Sequence, residues 1–311
     1  MNLQQFEYVL AVAEYRHFET AAEKCFVSQS TLSTMIARFE DEVGLHIFDR
    51  KRKPVDITQE GIQLIEQLKV LRREIAQLND LVMGLKGELS GPLHLAVIPT
   101  IAPFLLPLFL QEFGASFPKL EIVVREETTE EITKKLKSRE LDIGIVSTPL
   151  LDADLLETPL YHEPFVLYDP NQINQKKVLA KALKTERLCL MEEGHCMRTQ
   201  VVSLCRHTRN TQKNLLNFEY QAGSIDGLVR FVKANRLTTL LPYLATLDFR
   251  AVDHRHLAAF SAPVPYRSVG LVVHRHFAKK SILNKLQQQI IHKVKPLLPR
   301  IETRSKPLPP I

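Results

Sequence analysis

Residues 17–45 read HFETAAEKCFVSQSTLSTMIARFEDEVGL, and this stretch decides the fold of the N-terminal part of the chain. Apolar residues recur at helical spacing in its two halves, which predict two helices joined by a turn: Ala21, Ala22 and Cys25, then Leu32, Ile36 and Phe39. Ser28 can cap the second helix, whose first turns then present short polar side chains: Gln29, Ser30, Thr31, Ser33 and Thr34. Such side chains at a helix N-terminus suit contacts with DNA bases and phosphates, although an ordinary helical hairpin has the same spacing.

An amphipathic helix and a basic hairpin flank this pair of helices. The leading helix is indicated by apolar residues at helical spacing: Leu3, Phe6, Val9, Leu10 and Ala13. After the second helix, two short apolar strands over 45–49 and 55–58 enclose a basic tip over 50–54. This order predicts a winged helix-turn-helix whose basic residues face DNA: Arg38, Arg50, Lys51 and Arg52. The electrostatic support is local, because residues 1–58 carry more acidic than basic side chains.

Residues 59–88 are predicted to form a long linker helix that dimerises. Its apolar residues follow intervals of 4, 3, 4, 3, 4 and 3, an unbroken heptad seam: Leu64, Leu68, Leu71, Ile75, Leu78, Val82 and Leu85. The alternative is a helix packed on its own domain, but charged residues over 72–74 keep the opposite face in solvent. Self-association would match two DNA half-sites.

Beyond Gly91, strand and helix patterns alternate. Strands are predicted over 93–98, 121–125, 141–146, 165–168, 187–191, 214–220 and 268–274. Helices are predicted over 102–113, 129–138, 176–183, 225–234 and 281–295. This alternation predicts an α/β domain with a parallel sheet covered on both faces. The proline-rich tail from Lys306 to Ile311 is predicted to be disordered.

The composition is that of an ordinary globular protein. The chain has 311 residues, of which 45% are hydrophobic and 24% charged, and this length suffices for two or three compact units. The net charge of +6 is compatible with nucleic acid without requiring it. Four cysteines without a secretory signal predict the cytoplasm. No apolar run reaches the roughly 18 residues of a membrane span, and no pattern of metal ligands or cofactor motif is present, so we expect no metal and no cofactor.

The chain resembles the LysR-type transcriptional regulators over essentially its whole length. The resemblance rests on the start MNLQQF, on FETAAEK at 18–24 and on SQSTLS at 28–33, where Ser30 replaces the proline common in that family. It implies a winged helix-turn-helix domain over 1–58, a linker and dimerisation helix over 59–88, and a two-lobed regulatory domain of periplasmic-binding-protein type over 89–303. Lobe I would comprise about 91–161 and 266–300, and lobe II about 162–265, with the chain crossing near residues 162 and 266. An effector site between the lobes and a tetramer (a dimer of dimers) are also implied.

Two cysteines stand nine residues apart in EEGHCMRTQVVSLCRH, residues 192–207. Cys196 lies between His195 and Arg198, and Gly194 could begin a helix with Cys196 at its positive end; cations and helix N-termini favour the reactive thiolate. If residues 196–205 are helical, the two Cα atoms are roughly 13 Å apart, whereas a disulfide needs less than about 7 Å. Closing the pair would therefore remodel the segment, as in a redox switch. The alternative is two unrelated cysteines that pack as small apolar residues.

GHCMRTQ at 194–200, the second cysteine, and SGPLHLAVIPTIAPFLLP at 90–107 resemble the peroxide-sensing LysR-type regulators. The resemblance implies hydrogen peroxide as the signal, Cys196 as the peroxidatic thiol and Cys205 as the resolving thiol. It also implies a peroxide pocket shaped by four residues: Thr100, Thr129, His195 and Arg198. Thr199 departs from the pattern, since an aspartate commonly follows that arginine. Cys189, in an apolar pattern, is interpreted as a core residue.

The sequence therefore predicts a cytoplasmic, homo-oligomeric transcription regulator, not an enzyme, that binds double-stranded promoter DNA and controls oxidative-stress genes. The resemblance implies RNA polymerase and a thiol reductant such as glutaredoxin or thioredoxin as partners, and no membrane. The main alternative is a LysR-type regulator that binds a small organic metabolite between the lobes, where Thr100 and backbone N–H groups near 101–104 would hold an anion. A thiol peroxidase is a third interpretation, disfavoured because nothing in the sequence suggests repeated turnover.

Overall fold

The computed structural model of the protein describes residues 1–85, 90–174, 177–183, 187–206, 220–300 and 305–310. Contacts between residues divide the chain into two compact units, Met1–Val82 and Met83–Ile311. Among the described residues, no helix combines the length and the apolar character that crossing a lipid bilayer requires. The predicted succession of a winged helix-turn-helix, a long helix and a two-lobed α/β domain is confirmed.

The first unit contains three helices, a two-stranded hairpin and most of a long helix. Their bounds are α1 Leu3–Tyr15, α2 Phe18–Lys24, α3 Gln29–Val43, β1 Phe48–Asp49, β2 Asp56–Ile57 and α4 Gln59–Leu85. Asn2 and Ser28 cap α1 and α3, because each side chain accepts a hydrogen bond from the backbone N–H three residues further on. The apolar faces of these helices meet in one buried core that includes Val9, Leu32, Ile36 and Phe39.

The buried carboxylate of Glu40 joins the wing to α3. Its Oε1 atom accepts hydrogen bonds from the backbone N–H groups of Ile47 at 2.6 Å and Phe48 at 3.2 Å. Beyond that anchor, β1 pairs antiparallel with β2. The wing strands are shorter than predicted, since Ile47 binds the carboxylate of Glu40 before the strand pairing begins.

Helix α4 has an inner half that packs on its own domain and an outer half that does not. Leu68 is 2% exposed in the core of the first unit, and Leu64 packs against that core. The assignment of Leu68 to an intermolecular seam is therefore corrected, because its side chain is already covered within one chain. In the outer half, Leu71, Leu78 and Val82 are exposed and Ile75 is half-buried; the side chain of Leu85 lies outside the described part.

The second unit is built on a mixed β-sheet. Its strands are β3 Gly91–Val97, β4 Leu120–Glu126, β5 Ile143–Thr148, β6 Leu155–Tyr168, β7 Lys177–Val178, β10 Thr239–Pro242, β11 Leu257–Phe260, β12 Val264–His274 and β13 Ser305–Pro307. A separate parallel pair consists of β8 Leu190–Met191 and β9 Gln221–Ala222. The helices are α5 Ala102–Ser116, α6 Thr129–Lys137, α7 Cys196–Arg206, α8 Ile225–Asn235, α9 Ala251–His254 and α10 Lys280–Val294.

Two long strands, β6 and β12, carry the chain between the two lobes. The sheet order is β4-β3-β5-β12-β6-β11-β7, with β10 beside β6. Strands β4, β3 and β5 are parallel, but β12 runs antiparallel to both β5 and β6. The prediction of a parallel sheet is therefore wrong for the strands around the crossing, where the chain leaves lobe I and returns to it. One buried cluster surrounds β3, β5, α5 and α10, and a second lies among β10, α7 and α8.

Three local predictions in the second lobe fail or go untested. The predicted helix over 176–183 is a strand followed by a 3-10 turn over Ala180–Ala182, because pairing of Val178 with Phe260 of β11 overrides the local helix propensity. The predicted strand over 187–191 shortens to β8, where pairing with β9 is available. The predicted strand over 214–220 lies outside the described residues except for Tyr220.

The C-terminal tail is folded against the sheet, so the prediction of disorder is wrong for residues 306–310. Strand β13 pairs parallel with β12, placing Ser305 opposite Val264 and Pro307 opposite Tyr266. The N–H of Leu308 donates to the carbonyl of Tyr266 at 2.8 Å, and its side chain is 2% exposed. The prolines therefore flank an apolar anchor instead of forming a free tail.

Candidate functional site

The N-terminal turns of α3 form an exposed polar surface, as the sequence predicts for the DNA-reading edge. Five of the predicted DNA contacts are exposed: Ser28, Gln29, Ser30, Thr31 and Thr34. The sixth, Ser33, is half-buried. Ser28 Oγ accepts from the N–H of Thr31 at 3.2 Å, so this residue fixes the start of the helix. Arg38 is exposed one turn beyond Thr34. These side chains are free of the core and form one candidate surface for base and phosphate contacts.

Arg50 is bound within its own domain, and its predicted role as a phosphate contact at the wing stays a prediction. Its Nη2 atom lies 2.9 Å from Oε2 of the buried Glu40, and its Nη1 atom donates to Ser33 Oγ at 3.1 Å. The guanidinium also lies 5.1 Å from the centre of the Phe18 ring. Arg50 therefore connects the wing to α3, because both Glu40 and Ser33 lie on that helix. A DNA phosphate would have to compete with the buried carboxylate of Glu40 for this guanidinium.

The tip of the wing presents Lys51 and Arg52 differently. Arg52 Nη1 lies 2.9 Å from Asp56 Oδ2, across the wing. The backbone N–H of Lys51 donates to Asp49 Oδ1 at 3.0 Å, and its side chain is exposed without an ion pair among the described residues. Lys51 is thus the predicted basic contact best placed to meet a DNA phosphate.

Cys196 is the first residue of α7 and is buried. Its Sγ atom lies 3.6 Å from the hydroxyl of Ser147, at the end of β5, and its side chain belongs to the core of lobe I although α7 packs in lobe II. A helix N-terminus favours a negative charge there, and the Ser147 hydroxyl can donate to a thiolate. Ser147 gave no signal in the sequence, because it follows an apolar strand pattern and its partner is distant along the chain.

A cavity of about 630 Å³ opens beside Cys196, between α6 of lobe I and the start of α7. It is lined by Thr129, Glu130, Thr133, Lys134, Lys137, Gly194, His195, Cys196, Thr199 and Pro310. The structure therefore brings two of the four predicted pocket residues, Thr129 and His195, to the same cavity as Cys196. The Thr129 Oγ1 atom is buried without a hydrogen-bond partner among the described residues, which leaves it available to a ligand. His195 is buried, with Nε2 at 3.4 Å from Glu192 Oε1.

Arg198 does not line this cavity, and its predicted role in the peroxide pocket stays a prediction. Its Nη1 atom donates to the carbonyl of Met191 at 3.0 Å, and its Nη2 atom lies 3.9 Å from Glu193 Oε1. Two residues along an α-helix correspond to a rotation of about 200°, so Arg198 points away from Cys196. Thr199, one position further, returns to the cysteine's face and does line the cavity.

Thr100 is also absent from the cavity wall, because a buried arginine engages both of its oxygens. Arg267 donates from Nη1 to Thr100 Oγ1 and from Nη2 to its carbonyl, both at 3.0 Å. The same guanidinium pairs with Glu163 at 2.7 Å, and Arg267 and Glu163 are 1% and 0% exposed. The N–H of Leu244 donates to the other oxygen of Glu163 at 2.7 Å. The sequence analysis does not predict this cluster. The signal available was a pair of opposite charges, Glu163 and Arg267, within the apolar strands β6 and β12.

The backbone of α7 is helical from Cys196 through Cys205 to Arg206. Nine helical residues separate the two Cα atoms by roughly 13 Å, so the disulfide is open in this form; the side chain of Cys205 lies outside the described part. Burial raises the pKa of the thiols of Cys189 and Cys25, with Glu7 as a further cause at Cys25. These two cysteines are thereby disfavoured as nucleophiles, and Cys189 packs in the core as predicted.

The sequence matches two family models, and together with the fold they define the class of protein. The model "Bacterial regulatory helix-turn-helix protein, lysR family" matches residues 3–62, and "LysR substrate binding domain" matches residues 86–292. The chain belongs to the LysR family of DNA-binding transcription regulators.

Within this family, the chain is similar to OxyR and to proteins named as hydrogen peroxide-inducible genes activators. It is 35% identical over 275 residues to the DNA-binding transcriptional dual regulator OxyR of Escherichia coli K12, covering 88% of this chain and 89% of that protein. It is 31% identical over 301 residues to the hydrogen peroxide-inducible genes activator of Haemophilus influenzae, covering 96% and 99%.

Solved structures of OxyR share the fold. A full-length cysteine-to-aspartate variant of OxyR from Pseudomonas aeruginosa aligns with a TM-score of 0.70 at 29% identity, covering 94% of this chain and 98% of that one. A cysteine-to-serine variant of OxyR from Corynebacterium glutamicum with hydrogen peroxide bound aligns with a TM-score of 0.64 at 25% identity, covering 96% and 94%.

Proposed function

We propose that this chain is a LysR-type transcription regulator that senses hydrogen peroxide by oxidation of Cys196 and signals by forming a disulfide with Cys205. The observation that carries the proposal is the position of Cys196 at the start of α7, beside Ser147 and on the wall of the cavity. The similarity to proteins named as hydrogen peroxide-inducible genes activators, and to an OxyR structure with hydrogen peroxide bound, supports the choice of oxidant.

The oxidation proceeds in two steps. In the first, the Cys196 thiolate attacks one oxygen of hydrogen peroxide: the O–O bond breaks, an S–O bond forms, and the leaving hydroxide takes up a proton to become water. In the second, the Cys205 thiolate attacks the sulfur of the resulting sulfenic acid, the S–O bond breaks, and the leaving hydroxide, again protonated, departs as water. Two thiols are oxidised to one disulfide, and one peroxide is reduced to two waters.

The residues around Cys196 have separate roles in the first step. The N-terminus of α7 and the Ser147 hydroxyl stabilise the thiolate. The Thr129 hydroxyl, which has no hydrogen-bond partner in the described part of the chain, holds the peroxide, and His195 and Thr199 border it on the side of α7. Because α6 carries Thr129 and α7 carries Cys196, the pocket is complete only when both lobes contribute.

Oxidation reaches the DNA because Cys196 links the lobes. In the reduced form its side chain packs in the core of lobe I while α7 packs in lobe II. Bringing Cys196 and Cys205 within about 7 Å unwinds α7 and withdraws Cys196 from that core. The lobes then repack, and the change passes through α4 to the helix-turn-helix.

The disulfide is tested by mass spectrometry in a Cys189→Ser background. Trypsin cleaves after Arg187, Arg198 and Arg206, so in the unmodified chain Cys189 and Cys196 share one peptide and a link to Cys205 would be ambiguous. With Cys189 replaced, one equivalent of peroxide should link residues 188–198 to 199–206. Absence of this link, together with a normal peroxide response of Cys196→Ser on DNA, would overturn the proposal.

The partners follow from this mechanism. Promoter DNA meets the α3 surface and the wing, and the outer half of α4 supplies a dimer contact within a homo-oligomer. RNA polymerase reads the resulting change, and a thiol reductant such as glutaredoxin or thioredoxin in the cytoplasm resets the disulfide. Each oxidation disables the pair until that reset, so the chain acts as a switch and not as an enzyme.

The size of the cavity favours a second candidate, a small organic effector. A volume of about 630 Å³ falls within the range of roughly 300–1,000 Å³ typical of ligand sites and exceeds what peroxide needs. A metabolite-dependent regulator would keep its response in Cys196→Ser, whereas the peroxide sensor loses it. DNA footprints of that variant with peroxide and with cell extract depleted of protein distinguish the two.

A further inference from the structure

The tail segment Ser305–Pro310, here named the tail strap, contacts both the crossing strands and the redox helix. Strand β13 pairs with β12, and the N–H of Leu308 donates to Tyr266 at 2.8 Å. The carbonyl of Leu308 accepts a hydrogen bond from Nε2 of Gln200 at 2.9 Å. Gln200 lies on α7, midway between the two cysteines, and is fully buried.

The side chain of Leu308 shares a core with the buried face of α7. Leu308, Met197, Val201 and Leu204 belong to one cluster, and each is less than 5% exposed. Two residues further along, Pro310 lines the cavity together with Cys196 and Thr199. The tail strap therefore covers α7 on its apolar face and borders the site of oxidation at its start.

These contacts require α7 to be helical. Gln200, Met197, Val201 and Leu204 occupy positions between the cysteines, and closing the disulfide removes the helix that aligns them. The Gln200–Leu308 hydrogen bond and the pocket for Leu308 are then lost together. The tail strap accordingly binds the reduced form more tightly than the oxidised form, and any such difference shifts the equilibrium between them.

We propose that Leu308 is a positioning residue for the redox helix: the tail strap holds α7 in its reduced, helical form, and disulfide closure releases the strap. This inference rests on the proposed function for the identity of the oxidised form. Its effect on the helix itself is a property of the reduced protein and is measured without an oxidant.

The first test compares hydrogen exchange in the reduced full-length protein. Leu308→Ala should speed amide exchange in α7 by about tenfold or more, because a buried leucine anchor is lost. Leu308→Met should restore slow exchange, and Pro309→Ala, an exposed neighbour in the strap, should leave it unchanged. Helix α8, which packs in the same core, is the internal reference. Equal acceleration in α7 and α8, or none in α7, overturns the proposal.

The second test separates the two oxidation steps. In Leu308→Ala, sulfenic acid formation at Cys196, trapped with dimedone, should stay within about twofold of wild type, while disulfide formation should be several-fold faster because the helix opens more readily. If Leu308→Ala forms the disulfide at the wild-type rate, the proposed role of the tail strap is contradicted and the proposed function is not. If wild type forms no Cys196–Cys205 disulfide, the proposed function fails, and the exchange test alone decides whether the strap holds α7.

A third readout follows the strap directly. Within 307–310, Leu308 is the only residue with a backbone N–H, so its exchange reports the hydrogen bond to Tyr266. In wild type, this amide should be protected in the reduced form and exposed after peroxide, and Cys196→Ser should keep it protected. Protection that persists in the disulfide form overturns strap release.

Discussion

At the scale of single residues, the buried hydroxyl of Thr129 borders the Cys196 cavity without a hydrogen-bond partner among the described residues. Thr129→Val keeps the branched shape of the side chain and removes this hydroxyl. Because the hydroxyl makes no hydrogen bond to any residue that the structure describes, we expect an unchanged melting temperature and roughly tenfold slower sulfenic acid formation. Stopped-flow oxidation with dimedone trapping measures the rate.

Thr128→Val is the matched control for Thr129→Val. Thr128 caps α6, with Oγ1 accepting the N–H of Glu131 at 3.3 Å, so its replacement should lower the free energy of unfolding by about 1 kcal/mol. Oxidation of Thr129→Val at the wild-type rate would show that the hydroxyl does not hold the peroxide.

The two neighbouring cations of the wing should respond differently to removal. Lys51→Ala should weaken binding to every DNA sequence and reduce the slope of affinity against salt by about one, because one phosphate contact is lost. Arg50→Ala should instead lower the free energy of unfolding by about 1 kcal/mol, since it removes a partner of the buried Glu40. Fluorescence anisotropy over a salt series and urea unfolding separate the two; an unchanged salt slope for Lys51→Ala would contradict the assignment.

At this scale, the sequence predicted some of the site and missed the rest for geometric reasons. Cys196, His195 and Thr129 were expected together from the family resemblance and do line one cavity. Arg198, which the resemblance also implies in the pocket, lies outside the cavity, because its guanidinium donates to the carbonyl of Met191. Ser147 contacts Cys196 from 49 residues away in the sequence. Arg267 contacts Thr100 from 167 residues away, and no local sequence pattern reveals such pairs.

At the scale of elements, α4 divides the heptad seam into a covered and an open half. Leu78 is 60% exposed in the open half, so Leu78→Asp should abolish dimers without unfolding the monomer, because it places two charges in an apolar interface. Sedimentation velocity gives the oligomeric state, and circular dichroism the folding. Val70→Asp is the control, as Val70 is exposed on α4 but lies outside the seam. A dimer that survives in Leu78→Asp would move the interface elsewhere.

The elements that could be predicted are those whose signal is local. Helices α1 to α3, α5, α6, α8 and α10 follow apolar periodicity and lie near their predicted bounds. Strand β7 pairs with Ala259, 82 residues away, and its residues were predicted as helix. Strand β13 pairs with Val264, 41 residues away, and most of it was predicted as a disordered tail. Pairing across such distances also makes the sheet mixed, which alternation alone does not indicate.

At the scale of the whole regulatory unit, Arg267 and Glu163 tie the start of α5 to both crossing strands and to Leu244 in the second lobe. Arg267→Met should lower the free energy of unfolding by about 3–5 kcal/mol, because it leaves a buried carboxylate without its cation. Adding Glu163→Gln should recover much of this loss, since the amide oxygen still accepts the N–H of Leu244. Urea unfolding of the single and double variants checks this, and a double variant no more stable than Arg267→Met would contradict it.

The 27 residues of α4 make a lever roughly 40 Å long. Since Leu68 packs the inner half of α4 into the helix-turn-helix core, the exposed surface of α3 moves together with α4 whenever α4 tilts. If α4 tilts by only about 5° about its C-terminal end, the surface at its other end moves by roughly 3.5 Å, close to the rise of one base pair. A tilt of α4 too small to alter the helix-turn-helix itself therefore shifts this surface by about the length of one base-pair step.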